Sequence, residues 1–239
     1  MTNKPKITIP ETFMGVQVAG AMERVLAKEK SQSQEPAPVH ANESSKEGMI
    51  YIPSAGIYFA NQRAHLGKDW NETHDLLKSD GLRMPTMEEF RKTLHYLNNS
   101  QEQEHQELYN EITEVRSPGR ANWIDAYFEK KDEVLYILTH NKAKSEKLED
   151  CLMDDKTPGI NLVDWVSGKS ATNMGFPSKK ISKGDLYYWH PRDGQVARFI
   201  AFSDRAFLLC DGDPSYRNSV LGVFGVADVD ARGKARQKT

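Results

Sequence analysis

Two helix starts are written into one short run of this chain, DWNETHDLLKSDGLRMPTMEEF, which begins at Asp69. Glu72 follows Asp69, and Glu89 follows Thr86, each three residues on. At that spacing a cap side chain and the carboxylate beyond it satisfy each other's backbone N–H groups. The first helix carries Trp70, Leu76 and Leu77 and stops near Gly81, a residue type suited to a helix end. The second carries Met87, Phe90, Leu94 and Leu97 at spacings of three and four, which makes one inward stripe. Only GLRMPT lies between them, with Pro85 just ahead of the second cap. A chain with two helix starts fixed so closely is committed to a tight helix–turn–helix at the head of its main domain.

The segments around that run extend the pattern. GMIYIPSAGIYFA places two β-rich runs either side of Pro53-Ser54-Ala55-Gly56 and predicts a hairpin. Gln101 to Glu114 is polar and helical in character. Glu133 to Thr139, EVLYILT, reads as a strand, and 141–160 as charged loop with room for a short helix. INLVDWV, DLYYWH, VARFIAF, AFLLC and SVLGVFGVA then make the C-terminal half β-rich. Hairpin, two helices and many strands, in that order, give an α+β domain with a mostly antiparallel C-terminal half. The expected boundaries are an appendage at 1–47, the domain at 48–232 and a disordered basic tail at 233–239. Within the appendage, Thr12 to Lys30 is expected to be a helix and SQSQEPAPVHANESSKE a flexible linker.

Composition narrows the function classes. The formal charge of −2 over 239 residues lacks the basic excess of a nucleic-acid protein, so no nucleic-acid partner is expected. No apolar run reaches the roughly 18 residues that a membrane helix needs, and the N-terminus lacks a secretion-signal stretch. The default compartment is therefore the cytoplasm, with surface or virion display left open. The two cysteines, Cys151 and Cys210, are too few for a disulfide scaffold, and their spacing does not decide whether they pair.

The run from Trp70 to Phe90 resembles the opening of the C-type lectin fold in its bacterial, archaeal and phage branch. That branch shows a Trp-led helix, then Gly, a basic residue, Pro-Thr, an acidic pair and a hydrophobe. Here these are Trp70, Gly81, Arg83, Pro85, Thr86, Glu88, Glu89 and Phe90. The fold serves formylglycine-generating enzymes as well as the variable proteins of diversity-generating retroelements, so the motif speaks to fold more than to function.

The C-terminal run VARFIAFSDRAFLLCDGDPSYRNSVLGVF separates those branches. It resembles the variable region of an archaeal or viral retroelement-diversified protein. The resemblance implies that AAC and AAT codons were randomised in their first two positions. Such codons never specify Lys, Glu, Gln, Met or Trp. None of the five occurs from Val196 to Arg232, although together they make up about a quarter of the chain. The next longest stretch without them is Ile50 to Asn61.

A strand alternates faces with period two, and this divides the tail. Ala201, Ala206, Leu208 and Cys210 fall on one face as constant framework. Ile200, Phe202, Arg205, Phe207, Leu209 and Asp211 fall on the other, with a change of phase at Ser203-Asp204. A set mixing Arg and Asp with Phe suits a binding surface better than a core. Gly212, Asp213, Tyr216, Arg217 and Val220 would be the loop part of a variable region at about 196–226. Leu221, Val223 and Phe224 would close the core. The implied function is a diversified ligand-binding protein whose partner is a protein of unknown identity.

Catalytic and metal motifs are weak. A formylglycine-generating enzyme needs a cysteine pair near the C-terminus, where only Cys210 lies. No Gly-x-Ser-x-Gly, Walker loop or zinc-spaced His/Cys cluster is present. Asp211-Gly-Asp213 supplies two carboxylates, short of calcium's six to eight oxygens, and the seven histidines are scattered, with His190 in YYWHP the most suggestive. The expectation is no enzyme and no cofactor. An enzyme of the formylglycine-generating type and an undiversified viral fibre or adhesin domain are the alternatives.

Overall fold

Both capping boxes form. Asp69 Oδ1 accepts from the Glu72 N–H at 2.9 Å at the head of α1, Trp70–Ser79. Thr86 Oγ1 accepts from the Glu89 N–H, and Glu89 returns the bond to Thr86 N at 2.9 Å, at the head of α2, Met87–Asn99. Gly81 adopts φ +72°, where a side chain would be strained, and turns the chain out of α1. Arg83 is held between Glu89 (2.7 Å) and Asp228 (2.6 Å), which fastens the inter-helix turn to the C-terminal end of the domain.

The computed structural model describes residues 12–13, 16–17, 47–148 and 157–229. The chain divides into two compact units, Met1–Glu43 and Ser44–Thr239. In the first, β1 (Thr12–Phe13) pairs antiparallel with β2 (Val16–Gln17), so the segment expected to open a helix at Thr12 opens as strand instead. Phe13 and Val16 favour a strand, and Gly15 disfavours a helix. The rest of that expected helix, the linker and the basic tail lie outside the described residues, as does Cys151.

The second unit is α+β. β3 (Met49–Ile52) and β4 (Ile57–Ala60) form the expected hairpin, and the late strand β13 (Val226–Asp228) joins it in a three-stranded sheet. The described residues hold four helices: beside α1 and α2, α3 (Gln103–Thr113) forms in the stretch Gln101 to Glu114 that is helical in character, and α4 (Leu162–Ser167) forms where strand was expected. INLVDWV, expected as strand, is mostly α4. Asn161 caps it by accepting from the Asp164 N–H at 2.8 Å, Gly168 ends it at φ +87°, and Trp165 and Val166 are buried. Those end signals outweigh the β-branched residues between them. No helix among the described residues is long and apolar enough to cross a membrane.

The strands of the principal sheet are β5 (Arg120–Lys131), β6 (Val134–Leu138), β7 (Ser145–Lys147), β8 (Thr157–Ile160), β9 (Leu186–Trp189), β10 (Val196–Phe202), β11 (Arg205–Gly212) and β12 (Leu221–Gly222). They run in the order β7–β6–β5–β10–β11–β9–β8, with β12 beside β5. The pairings are antiparallel except β9–β11 and β5–β12. Phe199, Ala206, Leu208 and Cys210 join the larger core with Phe90, Leu94 and Leu97 of α2. Phe90 and Phe199 bring their rings to 5.6 Å. Cys210 is a free, fully buried thiol. A second apolar cluster of Trp70, Leu77, Ala121, Trp123, Val196 and Leu221 packs against the partly buried Ile200. Consecutive β10 residues thus feed different clusters: Phe199 the larger, Ile200 the smaller.

Candidate binding site

β10 and β11 are joined by Ser203-Asp204, with Phe202 opposite Arg205, Ile200 opposite Phe207 and Arg198 opposite Leu209. A two-residue connection puts Phe202 and Arg205 on the same face, which is the change of phase visible in the sequence. Along β11 burial alternates at every step: Ala206, Leu208, Cys210 and Gly212 are buried, and Arg205, Phe207, Leu209 and Asp211 are not. β10 follows suit from Arg198 onward.

The half-exposed side of these strands opens on a cavity of about 370 Å³, within the range of ligand pockets. Two cross-strand rows build it. Ala121, Ile200 and Phe207 stand side by side on β5, β10 and β11, and Arg198, Leu209 and Trp189 form the next row on β10, β11 and β9. Gly119, Phe202, Tyr216, Asn218, Val220 and Leu221 complete the lining. Phe202 lies so close over Gly119 that a Cβ there would fall 2.5 Å from the Phe202 ring. Phe202 and Tyr216 remain 48% and 42% exposed, high for aromatics of their size.

Six of the eleven positions expected from the sequence therefore meet at one cavity: Ile200, Phe202, Phe207, Leu209, Tyr216 and Val220. The other five do not line it. Arg205 donates to Asp204 at 2.7 Å and lies over the Tyr187 ring at 4.7 Å. Asp211 is half-buried further along β11. Gly212 is buried at a bulge, where a Cβ would come within 2.9 Å of the Val196 carbonyl. Asp213 holds its own turn by accepting from the Ser215 N–H and hydroxyl, both at 2.8 Å. Arg217 reaches Asp69 at 2.8 Å and Glu72 at 2.9 Å, tying the loop to the first capping box. The same loop is fixed again where the Trp70 N–H donates to the Pro214 carbonyl at 3.0 Å, and Asn218 Oδ1 accepts from the Val220 N–H at 3.0 Å.

Arg198, Trp189, Asn218, Gly119, Ala121 and Leu221 were not among the expected site residues. Arg198 shares the parity of Ile200 and Phe202, a signal present in the sequence. Trp189 and Ala121 reach the cavity only through strand pairing. The Arg198 guanidinium lies over the rings of Tyr216 (4.7 Å) and Trp123 (5.8 Å). Its Nε is buried without a hydrogen-bond partner, and among the described residues it makes no ion pair. Burial lowers its pKa, partly offset by Tyr216, Asp211 and Asp213.

A separate titratable cluster lies behind α1. His74 Nε2 is 3.8 Å from Asp125 Oδ1, the His74 and His140 rings are 4.1 Å apart, and His140 stacks on Trp70. Burial, helped by the neighbouring His140, lowers His74 to about 3. Burial raises Asp125 to about 6, against the His140 backbone N–H that donates to it. The two groups tilt stability in opposite directions. His74 is kept neutral, so its contribution is complete above its ordinary value of 6.5 and is lost as pH falls toward about 3. Asp125 holds its proton better when folded, so its contribution is complete below 3.8 and is lost as pH rises through about 6. Each slope is about 1.4 kcal/mol per pH unit, and in the acid range between those limits they cancel. Asp125→Asn should expose the histidine slope alone, with stability falling on acidification. His74→Gln should expose the opposite slope. Urea unfolding of both variants at a series of acid pH values reads the two signs, and parallel profiles would refute the assignment.

Among the described residues no group of three or more His, Cys, Asp or Glu side chains is placed to hold a metal ion. His190 follows β9 with its Nδ1 buried and unpartnered. No protein-family model, curated protein or solved structure matches the chain.

Proposed function

We propose that this chain is a ligand-binding protein diversified by a retroelement, displaying variable side chains on a fixed scaffold of the C-type lectin kind. No bond is made or broken; specificity comes from the assortment of side chains at the cavity and is changed by changing them. One observation carries the reading. The stretch that lacks Lys, Glu, Gln, Met and Trp is the stretch whose alternate residues line the cavity, while the residues between them are buried. A strand pair with one face locked in the core and the other lining a cavity tolerates side-chain exchange without losing its backbone. The scaffold reading rests on the Trp70 to Phe90 run, whose two capped helices and tight turn are realised.

Sequencing the coding and flanking DNA from independent isolates tests this. The expected result is an adjoining near-copy of the tail's coding segment rich in AAC and AAT. Differences between isolates should fall in the first two positions of the matching codons, among them those for Ile200, Phe202, Phe207, Leu209 and Tyr216. The codons of Ala206, Leu208 and Cys210 should not vary. Differences spread evenly over the gene, or Lys and Glu at the cavity positions, would end the proposal.

A further inference from the structure

We propose that the cavity takes a peptide group in which an apolar ring or branched side chain stands beside a carboxylate, with the carboxylate seated on Arg198. This deepens the binding reading above and rests on it. The cavity offers two unlike rows. Ala121, Ile200 and Phe207 are wholly apolar, whereas Arg198 brings a cation into the row beside them. Adjacent same-face rows on a strand lie about 7 Å apart, a separation that a bound Phe-sized side chain and a carboxylate at its own terminus or on the next residue can span.

Arg198 is built as a receptor rather than as a structural ion pair. Other arginines near the tail are satisfied within the chain: Arg205 by Asp204, Arg217 by Asp69 and Glu72, and Arg63 by the Val220 carbonyl at 2.9 Å. Arg198 instead lies over two aromatic faces, which position its plane and use none of its N–H donors. A half-buried guanidinium whose Nε is buried without a partner gains more from an anion than one already paired, because the bond is charge-assisted and partly shielded from bulk water. A cationic ligand would meet a like charge, and a neutral apolar one would leave the donors unmet.

Three probes on the full chain decide the matter by calorimetric titration: N-acetyl-glycyl-phenylalanine with a free carboxylate, the same dipeptide as its C-terminal amide, and N-acetyl-phenylalanyl-aspartate as its C-terminal amide. At least one of the two carboxylate probes should bind about tenfold more tightly than the amide lacking one. Whichever leads identifies the source as a chain terminus or an acidic side chain. Arg198→Gln should bring that probe down to the amide's affinity and leave the amide's own affinity unchanged. Arg198→Lys, which keeps the charge, should restore part of the preference and covers the case in which Arg198→Gln does not fold. Equal binding of all three, binding of none, or a preference that survives in Arg198→Gln would overturn the proposal. The DNA test can succeed or fail independently of this one.

Discussion

Leu208→Asp and Ala206→Arg should each unfold the domain, while joint replacement of Phe202, Phe207, Leu209 and Tyr216 by serine should leave a cooperative melting transition. Both sets lie in the same short stretch, so the comparison isolates facing from position. Leu208 is fully buried and Ala206 nearly so, both in the core that contains Phe90 and Leu94. An aspartate at 208 would be an unpaired charge in apolar surroundings, and an arginine at 206 would add bulk as well as charge. Either is expected to cost at least about 4–5 kcal/mol, the exceptional end of single substitutions and comparable to the whole stability of many domains. The outward residues border the cavity and give up little packing, so four changes together should cost less than either framework change alone. Circular dichroism melts of the two sets give the result. A quadruple variant as unstable as Leu208→Asp would make the stretch a core strand pair and remove the basis for a tolerant surface.

The sequence made the helices and the tail legible for different reasons. The two capping boxes are local chemistry: three residues of spacing decide which N–H groups are satisfied, and the structure realises both. Alternation in the tail is also local, and it separated Ala206, Leu208 and Cys210 from Phe207 and Leu209 correctly. The α4 segment reads as strand in the sequence because its apolar residues are β-prone, although Asn161 and Gly168 carry helix-end signals at its margins. Trp189 and Ala121 escaped because they enter the cavity through the pairing of β9 with β11 and β5 with β10. Register between distant strands leaves no mark in a local window. The His74–Asp125 cluster was invisible for the same cause, since 3.8 Å in space corresponds to a separation of half a hundred residues along the chain.

Gly212→Val should be strongly destabilising, whereas Asp211→Val and Asp213→Val on either side should be mild. Pattern alone placed all three together as variable positions, but their backbone environments differ. In β10 a single residue, Ala197, lies between Val196 and Arg198, while Cys210 and Asp211 lie between their partners Gly212 and Leu209, so β11 carries the extra residue of a bulge. The bulge presses Gly212 onto its neighbour: a Cβ there would lie 2.9 Å from the Val196 carbonyl and 3.7 Å from Arg198 Nε. The first contact is backbone, held by pairing on both sides, and cannot move aside as a flexible side chain would. Alanine should therefore cost about 1–3 kcal/mol and the branched valine more. Asp211 is half-buried, and Asp213 is exposed with its side-chain hydrogen bonds confined to a local turn, so valine at either should cost about 1 kcal/mol or less. Thermal melts of the three variants would show one large shift flanked by two small ones. The consequence for binding is specific: the bulge held open by Gly212 sets where Arg198 stands relative to Leu209. Under the proposed diversification, codon 212 should therefore stay glycine while 209 and 216 vary. Three equal shifts would mean that the bulge yields freely and that its glycine places no limit on what the tail can become.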